Sequence, residues 1–230
     1  MFERFFTADQ IRKKLLKKTN PGPIASYLEK PFVPPNSKLN QIEFLSLDLE
    51  ATGLDLQQDE ILSVGFTVIR NMSVILSESN YFLVRPKQAI PEESAIIHRI
   101  FDDESSQGIE LEDALLKILQ ALQGRVLLAH HANIECGFLN KACQKVFNSK
   151  IIFPLVDTFA IEYKSLKHRG VTPYNQSLRL AALREDYNLP RYPAHNALSD
   201  AIATAELFIA QIAHRSGNDA MKLSDVFSRC

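Results

Sequence analysis

The 230-residue sequence has no tryptophan and only three cysteines. Cys136, Cys143 and Cys230 form no CxxC pair and are odd in number, which fits a reducing compartment and argues against a disulfide framework or a thiolate zinc site. No uncharged apolar run reaches about 18 residues, and the start, MFERFFTADQ, lacks a basic segment followed by an apolar core. Neither a transmembrane helix nor a secretory signal is indicated, so the expected location is cytoplasmic. Repeats, low-complexity tracts and long blocks of like charge are also missing. What is there is ordinary for a soluble globule: 46% hydrophobic and 23% charged residues, in a length that builds one large domain or a domain with an appendage.

The net charge of −1 hides an asymmetry. Residues 1–40 hold eight Lys/Arg against three Asp/Glu, leaving 18 against 24 for the remainder, so an arm of +5 precedes a body of −6. The arm is most basic in IRKKLLKK, residues 11–18. It reads either as a surface for nucleic-acid phosphate or as a solvated helix face whose Ile11, Leu15 and Leu16 pack on the body, and the second is favoured.

A helix is predicted over residues 8–18, a stop at Asn20-Pro21-Gly22, a short helix over 24–29 and a stiff connector, PFVPPNSK. We therefore divide the chain into a helical, basic N-terminal extension (1–40), a main domain (41–215) and a C-terminal tail (216–230). The main domain opens with period-2 alternation, Leu45, Leu47 and Leu49 against Ser46, Asp48 and Glu50. Two further strand-like runs follow, ILSVGFTVI (61–69) and VILSESNYFLV (74–84), joined by a turn at Arg70-Asn71. Beyond Pro91 helices are expected at 94–97, 111–122, 133–147, 158–166, 177–186 and 197–213, with extended segments at 125–130 and 151–157 and Asp157 capping the helix after it. Strands in a meander, then strands alternating with helices, indicate an α/β domain with a mixed sheet covered by helices.

Asp48 and Glu50 lie two residues apart on a strand, so their carboxylates project to one side, within reach of a single cation. Taken alone they are as well explained as charges facing water. Glu135, in HHANIE, sits in the first turn of a helix, where an acid also complements the helix dipole. In HNALSD, His195 stands at a helix start and Asp200 within the helix; singly these suit a capping histidine and a boundary acid. Together, four carboxylates and a histidine fall at strand ends and helix beginnings, where α/β sheets gather ligands. Hard oxygen donors without thiolate suit Mg²⁺ or Mn²⁺. A pair of such ions about 3.5–4 Å apart activates water and stabilises a leaving oxygen in phosphodiester hydrolysis. A histidine beside them is the residue type that takes the proton from that water.

The order DLE, HHANIE, HNALSD resembles the three motifs of the DEDDh 3′→5′ exonucleases, the family of the proofreading subunit of bacterial DNA polymerase III, over residues 43–212. The resemblance implies an RNase H-like fold with a mixed five-stranded sheet flanked by helices. It implies two Mg²⁺ or Mn²⁺ ions held by Asp48, Glu50, Glu135 and Asp200, with Asp48 bridging them, and His195 as general base. Ala51, Thr52, Gly53 and Leu54 match positions along the terminal nucleotide; His98 and His131 match further substrate contacts. Three residues depart from the pattern. Glu135 stands where aspartate is usual, His131 in a usual His-Asn-Ala, and Arg99 where glycine is frequent. The extra methylene of Glu135 adds roughly 1.5 Å of reach, and Arg99 brings a guanidinium suited to phosphate or carboxylate.

The implied function is release of nucleoside 5′-monophosphates from nucleic-acid 3′ ends, on single-stranded DNA with RNA as the other substrate class, in a repair or proofreading setting. The alternative is a weakly catalytic module of the same fold that grips 3′ ends. The short tail lacks a polymerase-binding segment, so polymerase association is not indicated. Tyr163, Tyr174 and Tyr187 read as packing residues rather than base-stacking platforms.

Overall fold

The structure is a computed structural model and describes residues 8–172, 175–215 and 221–229. Two helices, α1 (Ala8–Leu16) and α2 (Pro23–Glu29), precede the sheet, which begins as an antiparallel meander of β1 (Phe44–Ala51), β2 (Ile61–Arg70) and β3 (Ser73–Leu83). β2 is buried along nearly its whole length, which is why it reads as a continuous apolar run, whereas β3 lies at the sheet edge and is exposed or half-buried throughout. Their turn is Asn71-Met72, one residue later than the sequence suggests. Both have positive φ, 51° and 55°, as a two-residue hairpin with the twist of its strands requires.

The chain continues through α3 (Glu92–His98), α4 (Asp102–Ser105) and α5 (Leu111–Leu122), then alternates: β4 (Val126–Ala129), α6 (Asn133–Phe147), β5 (Leu155–Asp157), α7 (Thr158–His168). Helices α8 (Leu180–Asp186) and α9 (Ala197–Arg215) follow, and α10 (Leu223–Val226) leads into β6 (Phe227–Ser228). The sheet order is β3-β2-β1-β4-β5-β6, with β1, β4 and β5 parallel and β6 antiparallel to β5. The mixed α/β sheet is as expected but has six strands, not five. The sixth is two residues long, too short to carry a period, and is brought to the edge by the burial of Leu223 and Val226.

The pleat of β1 divides the core. Leu45, Leu47 and Leu49 face the layer of α2, α5 and α6, while Phe44 faces α9 and packs on Phe208 at 5.0 Å between rings. Each such full burial contributes about 1.5–3 kcal/mol. Ser46, Asp48 and Glu50 share the Phe44 side, so the same alternation that builds the core aims two carboxylates at α9.

Helix α1 of the basic arm packs on the body through one face and leaves its lysines exposed. Arg12 is 3% exposed, pairs with Asp9 at 2.5 Å and donates to the carbonyl of Leu28, while Leu15 and Leu16 lie against the core. That guanidinium holds Asp9 down at about pKa 2. Cys143 is buried and free, but Cys136 is disulfide-bonded, against the expectation; an odd cysteine count leaves one thiol over without excluding a pair. Among the described residues no helix is long and apolar enough to cross a membrane.

Candidate active site

β4 pairs with β1 only at Phe44, Leu45 and Ser46, so β1 overhangs its parallel neighbour and carries Asp48 and Glu50 beyond the end of β4. Opposite Asp48 on β2 is Gly65. A Cβ at Gly65 would lie 2.1 Å from the backbone nitrogen of Leu198 and 2.2 Å from the carbonyl carbon of Ala197, so only glycine lets the start of α9 settle on the sheet. Ser46 Oγ fixes the same helix one turn on, donating to the carbonyl of Ala201 at 2.7 Å. β1 and α9 are thereby locked together. Asp200, in the first turn of α9, is delivered to the two strand carboxylates.

The result is a set of carboxylate oxygens, one each from Asp48, Glu50 and Asp200, all within 4.8 Å of one another. Burial, with Glu135, Glu50 and Asp200 nearby, pushes the Asp48 carboxyl well above its usual range. Asp200 is also raised by burial, although the backbone N–H of His195, donating to Asp200 Oδ2 at 2.8 Å, works the other way. Glu50 is 6% exposed and its Oε1 has no hydrogen-bond partner among the described residues. Like charges and an unpaired buried oxygen are costly as they stand and are offset by a cation. The donors are hard, anionic and unblocked, and they fit a divalent metal ion.

Glu135 behaves differently. It is 3% exposed, burial above all pushes its carboxyl up to about pKa 8, and Asp157 and Glu50 push in the same direction. Among the described residues its Oε2 lacks a partner, and it belongs to neither close donor set. Its helix starts from a loop held from beneath. The His131 backbone N–H donates to Asp157 Oδ1 at 3.1 Å, and the same oxygen caps α7 by accepting from Phe159 N at 2.9 Å. His130 is buried, its pKa depressed to about 3, and therefore neutral. Its Nε2 lies 3.0 Å from the Leu178 carbonyl, which only accepts, so Nε2 carries the proton and Nδ1 accepts from the Thr158 hydroxyl at 2.8 Å. The His131 ring rests on Phe159 at 3.8 Å, and Phe159 stacks on exposed Tyr163.

The segment after β1 is tied down rather than open. Thr52 Oγ1 donates to Asp59 Oδ1 at 2.8 Å and accepts from Glu60 N at 3.0 Å, so its hydroxyl faces its own loop. Gly53 lies against the Asp59 carboxylate, where a Cβ would approach to 2.5 Å. Ala51 is buried and its carbonyl accepts from Ser94 Oγ at 3.2 Å, which anchors α3; Leu54 is 77% exposed. His98, in the last turn of α3, brings Nδ1 to 2.6 Å from Glu50 Oε2, and its ring stands 6.1 Å from that of His195. Arg99, His131 and His195 all hold left-handed backbone, φ 57°, 63° and 66°. Glycine or asparagine tolerates that region best, and both are the usual residues at two of these positions. Tyr187 is engaged with Glu162 at 2.8 Å, and Tyr174 lies outside the described residues. Sequence reasoning missed Gly65, Ser46, Asp59 and Ser94. Only Gly65 left a signal, a glycine inside an apolar strand, which marks close approach of another backbone.

The family model for exonucleases matches residues 45–208. The chain belongs to this exonuclease family. It is 29% identical to the DNA polymerase III subunit epsilon of Treponema pallidum over 175 residues, 76% of this chain and 79% of that subunit. It is also 29% identical to a PolC-type DNA polymerase III of Thermotoga petrophila, over 83% of this chain and 13% of the polymerase. The 3′-5′ exonuclease DinG of Staphylococcus epidermidis matches at 29% over 72% of this chain and 18% of that protein. The chain thus spans a small part of the PolC-type polymerases it matches. Among solved structures, Escherichia coli exonuclease I in complex with a dT13 oligonucleotide superimposes with a TM-score of 0.62 at 16% identity, covering 76% of this chain and 42% of that one. At that identity the likeness establishes the fold.

Proposed function

We propose that this exonuclease-family chain is a metal-dependent 3′→5′ exonuclease that releases nucleoside 5′-monophosphates from single-stranded DNA. The carrying observation is the convergence of Asp48, Glu50 and Asp200, one oxygen each within 4.8 Å, on a face that β1 and α9 hold rigid. These three, with Glu135 behind them, would hold two Mg²⁺ or Mn²⁺ ions. Such ions supply Lewis-acid stabilisation of the phosphoryl oxygens and a more acidic water.

The chain's own residues divide the remaining work. Asp200 holds the backbone of His195 and leaves its exposed ring to take a proton from the attacking water. Ala51, Gly53 and exposed Leu54 border the path of the terminal nucleotide, and Thr52 shapes that border through Asp59 instead of reaching outward. His98, against Glu50, would contact the nucleotide from the α3 side, and His131 would add a further substrate contact from the loop before α6. Arg99, exposed and without an ion pair among the described residues, is placed for a phosphate. DNA as substrate is supported by relatives that are DNA polymerase components and by a structural neighbour solved with dT13.

The test is digestion of 5′-labelled single-stranded DNA, duplex DNA and short RNA with Mg²⁺ or Mn²⁺. Wild type is expected to produce a ladder shortening from the 3′ end, fastest on single-stranded DNA, and Asp48→Ala to lose at least about 10³-fold in rate. Intact substrate with wild type, or equal rates for Asp48→Ala, contradicts the proposal. A second reading rests on the depth of Glu135: a module that binds 3′ ends with weak turnover. It predicts oligonucleotide binding without a ladder, unchanged by Glu135→Asp.

A further inference from the structure

Glu50 belongs to two donor sets. One is the all-carboxylate set with Asp48 and Asp200; the other joins Glu50 to His98 and His195, again with one donor atom each within 4.8 Å of the others. We propose that Glu50, His98 and His195 form a binding site for a borderline divalent ion, Zn²⁺ or a similar transition metal, and that its occupation withdraws His195 from proton transfer.

The chemistry of the donors separates the two sets. Mg²⁺ demands oxygen and keeps its waters, whereas imidazole favours Zn²⁺, Ni²⁺ and Cu²⁺, and two histidines with one glutamate is a recurrent zinc donor set. Zinc–ligand bonds of about 2.0–2.2 Å in a tetrahedron place neighbouring donors roughly 3.3 Å apart. Donors already within 4.8 Å reach that spacing by small side-chain rotations. His195 is exposed and free to turn, while its backbone is held by Asp200.

The His98–Glu50 contact points the same way. Nδ1 and Oε2 approach to 2.6 Å, yet Nδ1 is buried and makes no aligned hydrogen bond among the described residues. A simple ion pair would direct the N–H along the line to the oxygen. The two atoms touch without an aligned hydrogen bond, and opening them to roughly 3.3 Å would let one ion take a lone pair from each. The other glutamate oxygen, Oε1, is buried and has no partner among the described residues, in a side chain 8% exposed, and is available to either set. His195 is the exposed member of the set, so an ion held there would be reached from solvent.

The two sets compete through Glu50 and have opposite consequences. Filling the carboxylate set leaves the His195 ring free. Filling the histidine set ties up the lone pair that would accept the proton. Inhibition is therefore expected from a transition metal even when Mg²⁺ is in large excess; this consequence, unlike the binding site itself, rests on the exonuclease reading.

Binding is tested on the full chain, freed of metal and titrated with Co²⁺ as a spectroscopic probe and with Zn²⁺ by calorimetry. Wild type is expected to show the visible absorption of low-coordinate, nitrogen-ligated Co²⁺, abolished by one equivalent of Zn²⁺. His98→Gln and His195→Gln should each weaken Zn²⁺ binding by at least about tenfold, as loss of a metal ligand does, and Asp48→Asn by less. Equal Zn²⁺ affinity in wild type and His98→Gln, or octahedral Co²⁺ spectra throughout, overturns the proposal. In the nuclease assay, the Zn²⁺ concentration giving half-inhibition should rise in His98→Gln by the same factor as the dissociation constant. If wild type shows no nuclease activity at all, the exonuclease reading fails while the Co²⁺ and Zn²⁺ titrations still decide this one.

Discussion

The carboxylates on β1 and α9 and the carboxylate on α6 come to the same end of the sheet by different means. Asp48, Glu50 and Asp200 stand on two elements fastened directly to each other, through the bare backbone of Gly65 and the Ser46 hydroxyl. Glu135 stands on a helix that starts from a three-residue loop, pinned by Asp157 beneath and bent through left-handed His131. The first group converges within 4.8 Å; Glu135 falls outside that set, though near enough to Asp48 to raise its carboxyl, and its own carboxyl is pushed up to about pKa 8. The difference teaches that direct packing of strand against helix sets ligand positions tightly, while a loop-borne helix leaves room for a longer side chain.

The largest expected effect is from Gly65→Ala, which attacks the first side of this comparison. The added methyl meets the backbone of Ala197 and Leu198, neither of which can yield without moving α9. We expect a loss on the order of 3 kcal/mol in chemical denaturation, together with collapse of divalent-metal binding. Retention of both would show that α9 is not held by this approach.

Glu135→Gln attacks the second side and should act in the opposite sense. The wild-type carboxyl is raised in the folded state from its ordinary 4.5 to about 8. Protonation therefore favours the folded protein: the contribution is full below about pH 4.5 and is lost as pH rises through 8. In metal-free protein, Glu135→Gln should melt with wild type near pH 4 and above it at pH 9, by a few kcal/mol at most, on the order of 5–10 °C. A gap between the two melting curves that does not change with pH would contradict the burial account.

Much of this was legible in the sequence, and for physical reasons. Alternation along 44–50 revealed a strand with both acids on one face, and the three motifs in order marked where strands end and helices begin. Asp157 was read as a cap and is one. The sixth strand was illegible because two residues carry no period. Burial of Arg12 was hidden by its basic neighbours, since charge alone reads as solvated until a partner such as Asp9 is placed beside it. Thr52 was matched to the nucleotide path, and nothing local shows that Asp59, seven residues on, claims its hydroxyl. The depth of Glu135 and the left-handed backbone of Arg99, His131 and His195 depend on how distant elements meet, which no short window records.

The central claim, that Asp48, Glu50 and Asp200 are the platform for a divalent cation, is tested most directly by Mn²⁺ titration of the metal-free chain. Bound ion is counted by electron paramagnetic resonance at a series of pH values. Wild type is predicted to bind Mn²⁺ more tightly as pH rises, because protons compete with the ion for the raised carboxyls of Asp48 and Asp200. Asp48→Asn is predicted to lose that binding by at least about 100-fold. Equal Mn²⁺ binding by wild type and Asp48→Asn would contradict it.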